Sequence, residues 1–204
     1  MATRLYKTSE ALFWMIILIS ASSTYAVGCD SGWQVVSGQC LKRFGVPSSE
    51  KKSWTEAEAA CVALGGHLAS MQTLTELSAI AQICFADITP NWQTDCHIGL
   101  HVPNSGSQQV WTDGTAYSAQ LDPRVNSDHN CAQGTVYPDG CKMGIEGHYG
   151  VFGILQKANP YVPHLYVCGK SPATSECLLL LKTRPMCITR TTSNTLLYSV
   201  RCTL

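Results

Sequence analysis

Five aspartate and asparagine residues lie in one stretch of the chain, between positions 122 and 139. They are Asp122, Asn126, Asp128, Asn130 and Asp139. Calcium binds roughly six to eight oxygen ligands in proteins, and carboxylate and amide oxygens are among those it prefers. The same residue types hydrogen-bond their own backbone and favour turns, which by itself explains their presence in a loop. We therefore interpret the stretch as a loop, with a rearranged calcium site as the disfavoured alternative.

Other reactive side chains give little support for catalysis. His97 and His101 would share a face of an extended strand, but no third metal ligand is evident, so we expect two solvent-facing residues. The chain has no G-x-S-x-G nucleophile elbow and no lone activated cysteine. We predict a protein that is not an enzyme and that holds no metal and no other cofactor.

Eleven cysteines in a chain of 204 residues indicate an oxidising compartment, because cytosolic thiols are kept reduced. Arg4 and Lys7 precede an apolar run at 11–19, and small residues follow up to a cleavage site after Ala26. This order is typical of a signal peptide, predicted here as residues 1–26. The run is far shorter than the roughly 20 residues that span a bilayer. We predict a secreted, extracellular protein with no membrane span.

Two helices and several short strands are predicted to position the loop. Ser53 with Glu56, and Thr73 with Glu76, have the spacing of capping boxes. Apolar residues then recur at helical spacing: Trp54, Ala57, Cys61 and Leu64 in a first helix that ends at Gly65, and Leu74, Leu77, Ile80, Ala81 and Cys84 in a second. Strands are predicted at 96–102 and 165–168, and a small hairpin at 29–40.

In this order, the features resemble a C-type lectin-like domain of the long form. The matching residues are Cys29, Trp33, Cys40, Trp54, Ala57, Cys61, Gly66, Leu68, Ala69, Glu76, Ile98, Gly99, Leu100, Trp111, Asp113, Gly114, Tyr166, Val167 and Cys168. The resemblance covers roughly residues 29–170. It implies an α+β fold with two helices, short antiparallel strands and a long loop, held together by disulfides.

Eight cysteines lie in this span, and sequence alone does not fix their pairing. The resemblance implies the pairs Cys29–Cys40, Cys61–Cys168 and Cys131–Cys141. We infer that Cys84 and Cys96 form the pair that is left. That bridge would join the end of the second helix to the strand that follows it.

Many members of this family bind sugar through a calcium ion, using an E-P-N or Q-P-D tripeptide and a later W-N-D. The corresponding residues here are Asp122, Pro123 and Arg124, followed by Tyr137, Pro138 and Asp139. Arginine has no side-chain acceptor and would place a positive charge beside the cation, so we predict calcium independence. The candidate ligand-binding residues are Asp122, Arg124, Asn126, Asp128, Tyr137 and Asp139.

The resemblance implies recognition of a carbohydrate or a glycoconjugate surface, with a calcium-independent protein–protein interaction module as the alternative. Tyr117, Tyr137, Tyr149 and Phe152 could stack on a sugar or anchor a protein surface, and could equally be loop core. The zero formal net charge gives no reason to expect nucleic acid. The predicted partner is a glycan or a cell-surface or secreted protein.

The sequence leaves the interpretation of two regions undecided. The glycine-rich stretch after Cys141 is either a hairpin added beside the binding loop, or Cys141 begins a core strand and Cys131 is an extra loop cysteine. Residues 171–204 form a cysteine-containing tail of unknown role. Its cysteines, Cys177, Cys187 and Cys202, are odd in number, so at least one is free or pairs outside the chain. A disulfide-linked dimer through the tail is one outcome.

Overall fold

The computed structural model describes residues 24–89, 94–103, 108–131, 137–147, 153–178, 186–190 and 196–199. Its helices in these ranges are α1 (Trp54–Ala63) and α2 (Leu74–Phe85), and two 3-10 segments cover Ser48–Glu50 and Ala119–Arg124. The strands are β1 (Thr24–Gly28), β2 (Gln34–Val36), β3 (Gln39–Phe44), β4 (His67–Leu68), β5 (Asp95–Val102), β6 (Val110–Trp111), β7 (Cys141–Glu146), β8 (Leu155–Ala158), β9 (Leu165–Lys170), β10 (Ala173–Leu178), β11 (Met186–Arg190) and β12 (Leu196–Ser199). Neither of these two helices has the length and apolar character that a bilayer crossing needs.

The chain divides into two compact units, and the larger one is Asp30–Ser171. Its sheet has the order β2-β3-β9-β5-β7-β8, with β4 paired to β9 and β6 paired to β5. All of these pairings are antiparallel except β5 with β9, which run parallel. Two helices with a mainly antiparallel sheet and a long loop confirm the predicted α+β class.

The second unit comprises the residues before and after the first one. Its described strands form a separate antiparallel sheet in the order β1-β10-β11-β12. Cys177 and Cys187 occupy paired positions of β10 and β11, whereas Cys202 lies outside the described residues. Most of the predicted signal peptide also lies outside them. The signal peptide, the limits 29–170 and the tail 171–204 therefore stay predictions.

Helix α1 begins and ends where its local signals place it. The capping box is formed, since Glu56 Oε2 accepts hydrogen bonds from the Ser53 N–H (3.0 Å) and hydroxyl (2.6 Å). Gly65 has the left-handed φ of +82° that terminates many helices. Trp54, Ala57 and Cys61 face inward as predicted, while Leu64 caps the helix and is 43% exposed.

Helix α2 contributes six buried residues to the larger core cluster. The Thr73 hydroxyl accepts from the Glu76 N–H (3.2 Å), and the Glu76 carboxylate accepts from the Thr73 N–H (3.1 Å). The buried residues of the helix are Leu77, Ile80, Ala81, Ile83, Cys84 and Phe85. They pack with Ile98, Leu100, Trp111, Met143 and Ile145 from the strands into one core cluster. This burial stabilises the domain because each large apolar side chain removed from water contributes roughly 1.5–3 kcal/mol.

Three disulfides cross-link this unit. Cys61 on α1 bonds Cys168 on β9, with their Cα atoms 5.3 Å apart. Cys84 at the end of α2 bonds Cys96 on β5 (Cα–Cα 6.1 Å). Cys131 in the loop bonds Cys141 at the start of β7 (Cα–Cα 5.6 Å). These are three of the pairs expected from the sequence and the resemblance.

Cys29 and Cys40 are disulfide-bonded as well, and their pairing with each other stays a prediction.

The long-range bridge is expected to stabilise the chain more than the local one. Cys61–Cys168 spans 107 residues of sequence and Cys84–Cys96 spans 12. The chain-entropy model gives about 4.7 kcal/mol for the first and about 3 kcal/mol for the second. We expect Cys61→Ala/Cys168→Ala to lower the urea midpoint of the oxidised chain further than Cys84→Ala/Cys96→Ala does. The reverse order would show that native packing around α2, rather than loop closure, sets the ranking.

Candidate functional site

The first of the predicted ligand residues lie in the 3-10 segment Ala119–Arg124. Leu121 is fully buried and holds this turn against the core. Asp122 is exposed, and its Oδ1 accepts a hydrogen bond from the Tyr117 hydroxyl (2.8 Å). Arg124 follows at the end of the segment and is partly buried. The turn thus presents a fixed carboxylate and a guanidinium two residues apart.

The next part of the loop runs beside β8. The Asn126 N–H donates to the Leu155 carbonyl (2.8 Å), and the Lys157 N–H donates to the His129 carbonyl (2.6 Å). The Asn126 Oδ1 accepts from the Asp128 N–H (3.0 Å), a local bond typical of Asx turns. Asn126 and the exposed Asp128 therefore lie along the sheet edge, and one amide oxygen is already used by the loop itself.

A tight turn, 137–140, carries the remaining candidates, Tyr137 and Asp139. The Gly140 N–H donates to the Tyr137 carbonyl (2.9 Å). Gly140 has a φ of +80°, and a Cβ there would overlap the Val102 carbonyl oxygen, so only glycine fits. Strand β7 starts at the next residue and pairs with β8. Of the two alternatives left by the sequence, the structure has the one in which Cys141 begins a core strand.

Lys142 on β7 ties this turn to α1. The residue is only 6% exposed, and its Nζ donates to the Asp139 carbonyl (2.8 Å). The same ammonium lies 4.4 Å from the centre of the Trp54 ring. Burial lowers the pKa of Lys142, and the nearby Asp139 carboxylate partly offsets that effect. A positive charge is thus held beside one of the candidate ligand residues.

An exposed aromatic segment, residues 159–163, lies against the turn and was not predicted from the sequence. Tyr161 is 55% exposed and Val162 is 41% exposed. The Tyr161 ring packs edge-on against Tyr137, with ring centres 5.7 Å apart. The Asn159 Oδ1 accepts from the Tyr161 N–H (3.0 Å), which fixes the bend. The signal that could have found it is the sequence Asn-Pro-Tyr-Val-Pro, because prolines around an aromatic favour an exposed turn.

A buried histidine pair lies beneath this segment, so the prediction that His97 faces solvent is wrong. His97 is 0% exposed and His164 is 8% exposed, with ring centres 5.0 Å apart. The His97 Nε2–H donates to the Val162 carbonyl (3.2 Å). Burial lowers the pKa of His97 to about 3 and that of His164 to about 4, so both are neutral at pH 7. His101 is partly buried against Trp54 rather than paired with His97.

The candidate residues fall into two groups along the loop. Asp122, Arg124, Asn126 and Asp128 lie in the segment that reaches β8, and Tyr137 and Asp139 lie in the turn beside Tyr161 and Lys142. Tyr149 and Phe152, also named from the sequence, are outside the described residues. Within the described part of the chain, no group of three or more histidine, cysteine, aspartate and glutamate side chains is placed to hold a metal ion.

The fold and loop define a C-type lectin-like domain, and comparison with known proteins gives the family. The family model described as the lectin C-type domain matches residues 50–170. The chain belongs to this family.

Two relatives and one solved structure illustrate the likeness. Snaclec 3 of Sistrurus catenatus edwardsii is 34% identical over 106 residues, which is 50% of this chain and 66% of that protein. A snaclec coagulation factor IX-binding protein of Protobothrops flavoviridis is 35% identical over 94 residues, 44% of this chain and 69% of that protein. The human lithostathine structure has a TM-score of 0.54 at 17% identity, covering 70% of this chain and 99% of that one, and supports the fold alone.

The buried histidine pair predicts loss of stability in acid. The unfolded state takes up protons near the ordinary histidine pKa of 6.5 and the folded state does not until about pH 3 at His97, so stability falls as pH drops through this window. At pH 5 the His97 contribution amounts to about 2 kcal/mol. We expect His97→Phe to flatten the decline in unfolding free energy between pH 7 and 4, measured by urea titration.

The exposed His129 provides the matched control, because His129→Phe should keep the slope of the unmodified chain. Asp95 has its pKa raised to about 6 by burial and by Glu146, and it changes stability in the opposite sense. The effect of His97 is therefore taken from the difference in slope of unfolding free energy against pH between each variant and the unmodified chain. An unchanged slope in His97→Phe would contradict a buried neutral His97.

Proposed function

We propose that this chain is a secreted, calcium-independent binding protein that recognises carbohydrate through the loop 117–140 together with Tyr161, and that it performs no chemistry. Secretion is supported by the N-terminal pattern and by the disulfides of the lectin-like unit. Family membership supports a binding role.

The observation that carries the proposal is the exposed Tyr161 ring braced by Tyr137. More than half of Tyr161 is open to solvent (55%), and its ring is held in place by the 5.7 Å edge contact. A rigid aromatic ring with one face exposed to solvent can pack against the apolar face of a sugar ring. Because the ring is already held in place, binding costs little side-chain entropy. The exposed carboxylate of Asp122 offers acceptors for sugar hydroxyls along the same loop.

Calcium independence is supported by the charges beside the candidate ligands. Arg124 follows Asp122 by two residues, and the Lys142 ammonium already occupies the Asp139 carbonyl at 2.8 Å. A cation at Asp139 would lie beside the Lys142 ammonium, and Arg124 adds a positive charge to the segment that carries Asp122, so each charge opposes a cation in its own group.

A protein ligand is the second candidate function. Val162 is exposed next to Tyr161, so the segment presents an apolar pair rather than an isolated ring. Apolar and aromatic residues of this kind are enriched at the centres of protein interfaces. The Protobothrops relative carries a name that includes coagulation factor IX binding, which favours a protein partner for this chain as well. The tail-linked dimer remains a separate prediction, checked by non-reducing electrophoresis.

Calcium is expected to leave the stability of the oxidised chain unchanged. A ligand that binds only the native state raises the unfolding midpoint in proportion to the logarithm of its concentration. We expect the thermal midpoint to be the same in millimolar calcium and in chelator. A rise with calcium would mean that the native state contains a calcium site and that Arg124 does not disable it.

Truncating Tyr161 is expected to weaken ligand binding without unfolding the domain. A glycan array probed in chelator should show binding, and Tyr161→Ala should weaken it about tenfold, since an aromatic contact contributes about 0.5–1.5 kcal/mol beyond its buried area. Val35→Ala is the matched control, because Val35 is 64% exposed on β2 and belongs to no proposed site. Silence on a wide array, with binding to a cell-surface or secreted protein that Tyr161→Ala reduces, would select the protein-ligand alternative.

A further inference from the structure

Two cysteines of the second unit occupy directly opposed positions in its sheet. Strands β10 and β11 are antiparallel, and Cys177 is the Cα partner of Cys187. The register runs without a shift through the four residue pairs of this ladder. The two cysteines therefore occupy one face of the sheet, because opposed residues of an antiparallel pair share a face.

Opposed positions of an antiparallel ladder lie at the distance that a disulfide needs. Their Cα atoms are about 4.5 Å or about 5.5 Å apart, depending on whether the two residues exchange backbone hydrogen bonds. Disulfides join residues whose Cα atoms are usually about 4.4–6.8 Å apart. Either kind of opposed pair can thus be bridged without a movement of the backbone.

No other cysteine is opposed to either of these two in the described strands. Cys177 has Thr24 as its partner on β1, and Cys187 has Ser199 as its partner on β12. The eight cysteines from position 29 to position 168 are all disulfide-bonded already. Within the described part of the chain, each of the two cysteines is therefore the one that the other can bond.

We propose that Cys177 and Cys187 form a cross-strand disulfide that closes the β10–β11 hairpin. The two strands follow each other in the chain, so their pairing does not require β1, part of which falls in the predicted signal peptide 1–26. The bond leaves Cys202 as the odd cysteine of the tail, so a disulfide-linked dimer through the tail would form at that residue. The pairing is independent of the ligand that the lectin-like unit binds.

The bond forms by exchange with a disulfide carrier, either glutathione disulfide or the oxidised form of a protein dithiol. One cysteine thiolate attacks the carrier disulfide, and the second thiolate then displaces the carrier. The chain loses two protons and two electrons as its S–S bond forms, and the carrier takes them up and leaves as thiols. The disulfides of the lectin-like unit require oxidation of the same kind.

A covalent closure suits this part of the chain, because a short hairpin alone is marginally stable in water. Strands β10 and β11 contain six and five residues. A cross-link between them stabilises the hairpin by limiting the conformations of the unfolded tail. The bond would thus give residues 171–204 a defined hairpin at their start.

The test is a tryptic map of the oxidised full chain, because each tail cysteine falls in a separate peptide. The three peptides are 171–182, 183–190 and 202–204. Free thiols are alkylated first, and the digest is made at about pH 6, below the ordinary thiol pKa of about 8.5, so that exchange is slow. We expect peptides 171–182 and 183–190 to appear as one linked mass that separates on reduction.

Isotope mixing separates a bond within one chain from a bond between two chains. Light and isotopically heavy chains are refolded together, and a bond within one chain gives linked peptides that are entirely light or entirely heavy. Linked peptides of mixed mass, an alkylated Cys177 or Cys187, or a link from either residue to peptide 202–204 would overturn the proposal.

Cys202→Ser is the matched control, since it removes a tail cysteine that the proposed bond does not use. It should leave the amount of the linked mass unchanged. Cys177→Ser/Cys187→Ser should remove the linked mass completely. Loss of the linked mass in Cys202→Ser would contradict the pairing.

The register itself is tested by moving the two cysteines on the background of Cys177→Ser/Cys187→Ser. Ser175→Cys/Thr189→Cys should restore the link, because Ser175 and Thr189 are opposed two positions further along the same ladder. Glu176→Cys/Thr189→Cys should not restore it, because these two positions lie on opposite faces of the sheet. Equal yields from the two variants would show that the hairpin does not have this register.

Discussion

The Cys61–Cys168 disulfide is the constraint on which the rest of the lectin-like unit depends. It bonds α1 to β9, and β9 is the strand that lies between β3 and β5 in the sheet. The indole N–H of Trp54 donates to the Ile98 carbonyl at 2.8 Å, so the same helix is also fixed to β5. Helix α1 thereby fixes the two central strands, β9 and β5. The loop between β5 and β7 begins at one of these strands and ends at its sheet neighbour, so the same sheet fixes both of its ends.

Those end points explain why a long irregular loop can present defined side chains. Leu121 is inserted in the core, the Cys131–Cys141 bond closes the loop onto β7, and the Asn126 N–H bonds the Leu155 carbonyl of β8. Each of these contacts joins parts of the chain that the folded sheet already brings close together in space. The described side chains of the proposed binding surface are therefore held in place, and a pre-organised surface loses less entropy when it holds a ligand.

The sequence predicted the parts of the molecule that follow from local chemistry. Both capping boxes and the buried positions of α1 and α2 come from spacing within a few residues, and no distant contact overrides them. The prediction for His97 failed because alternation assigns one face of a strand to water. Strand β5 lies between β7 and β9, and its second face is covered by Trp54 and by the segment that carries Val162. The covering residues lie more than forty positions away in the sequence, so the hydrophobic pattern of the strand itself does not predict them.

The candidate ligand residues show the same difference between what residue type predicts and what distant contacts decide. Asp122 and Asp139 were grouped by their oxygen donors, yet the structure gives them different neighbours: the Tyr117 hydroxyl bonds the first and the Lys142 ammonium bonds the backbone of the second. Residue type predicts what an atom can bind, but only the packed neighbours decide whether that capacity is still free. Here the described part of the loop uses much of its polar capacity to hold its own shape, whereas the neighbouring Tyr161 ring is open to solvent. That part of the loop is thus ordered by its own hydrogen bonds, by Leu121 in the core and by the Cys131–Cys141 bond.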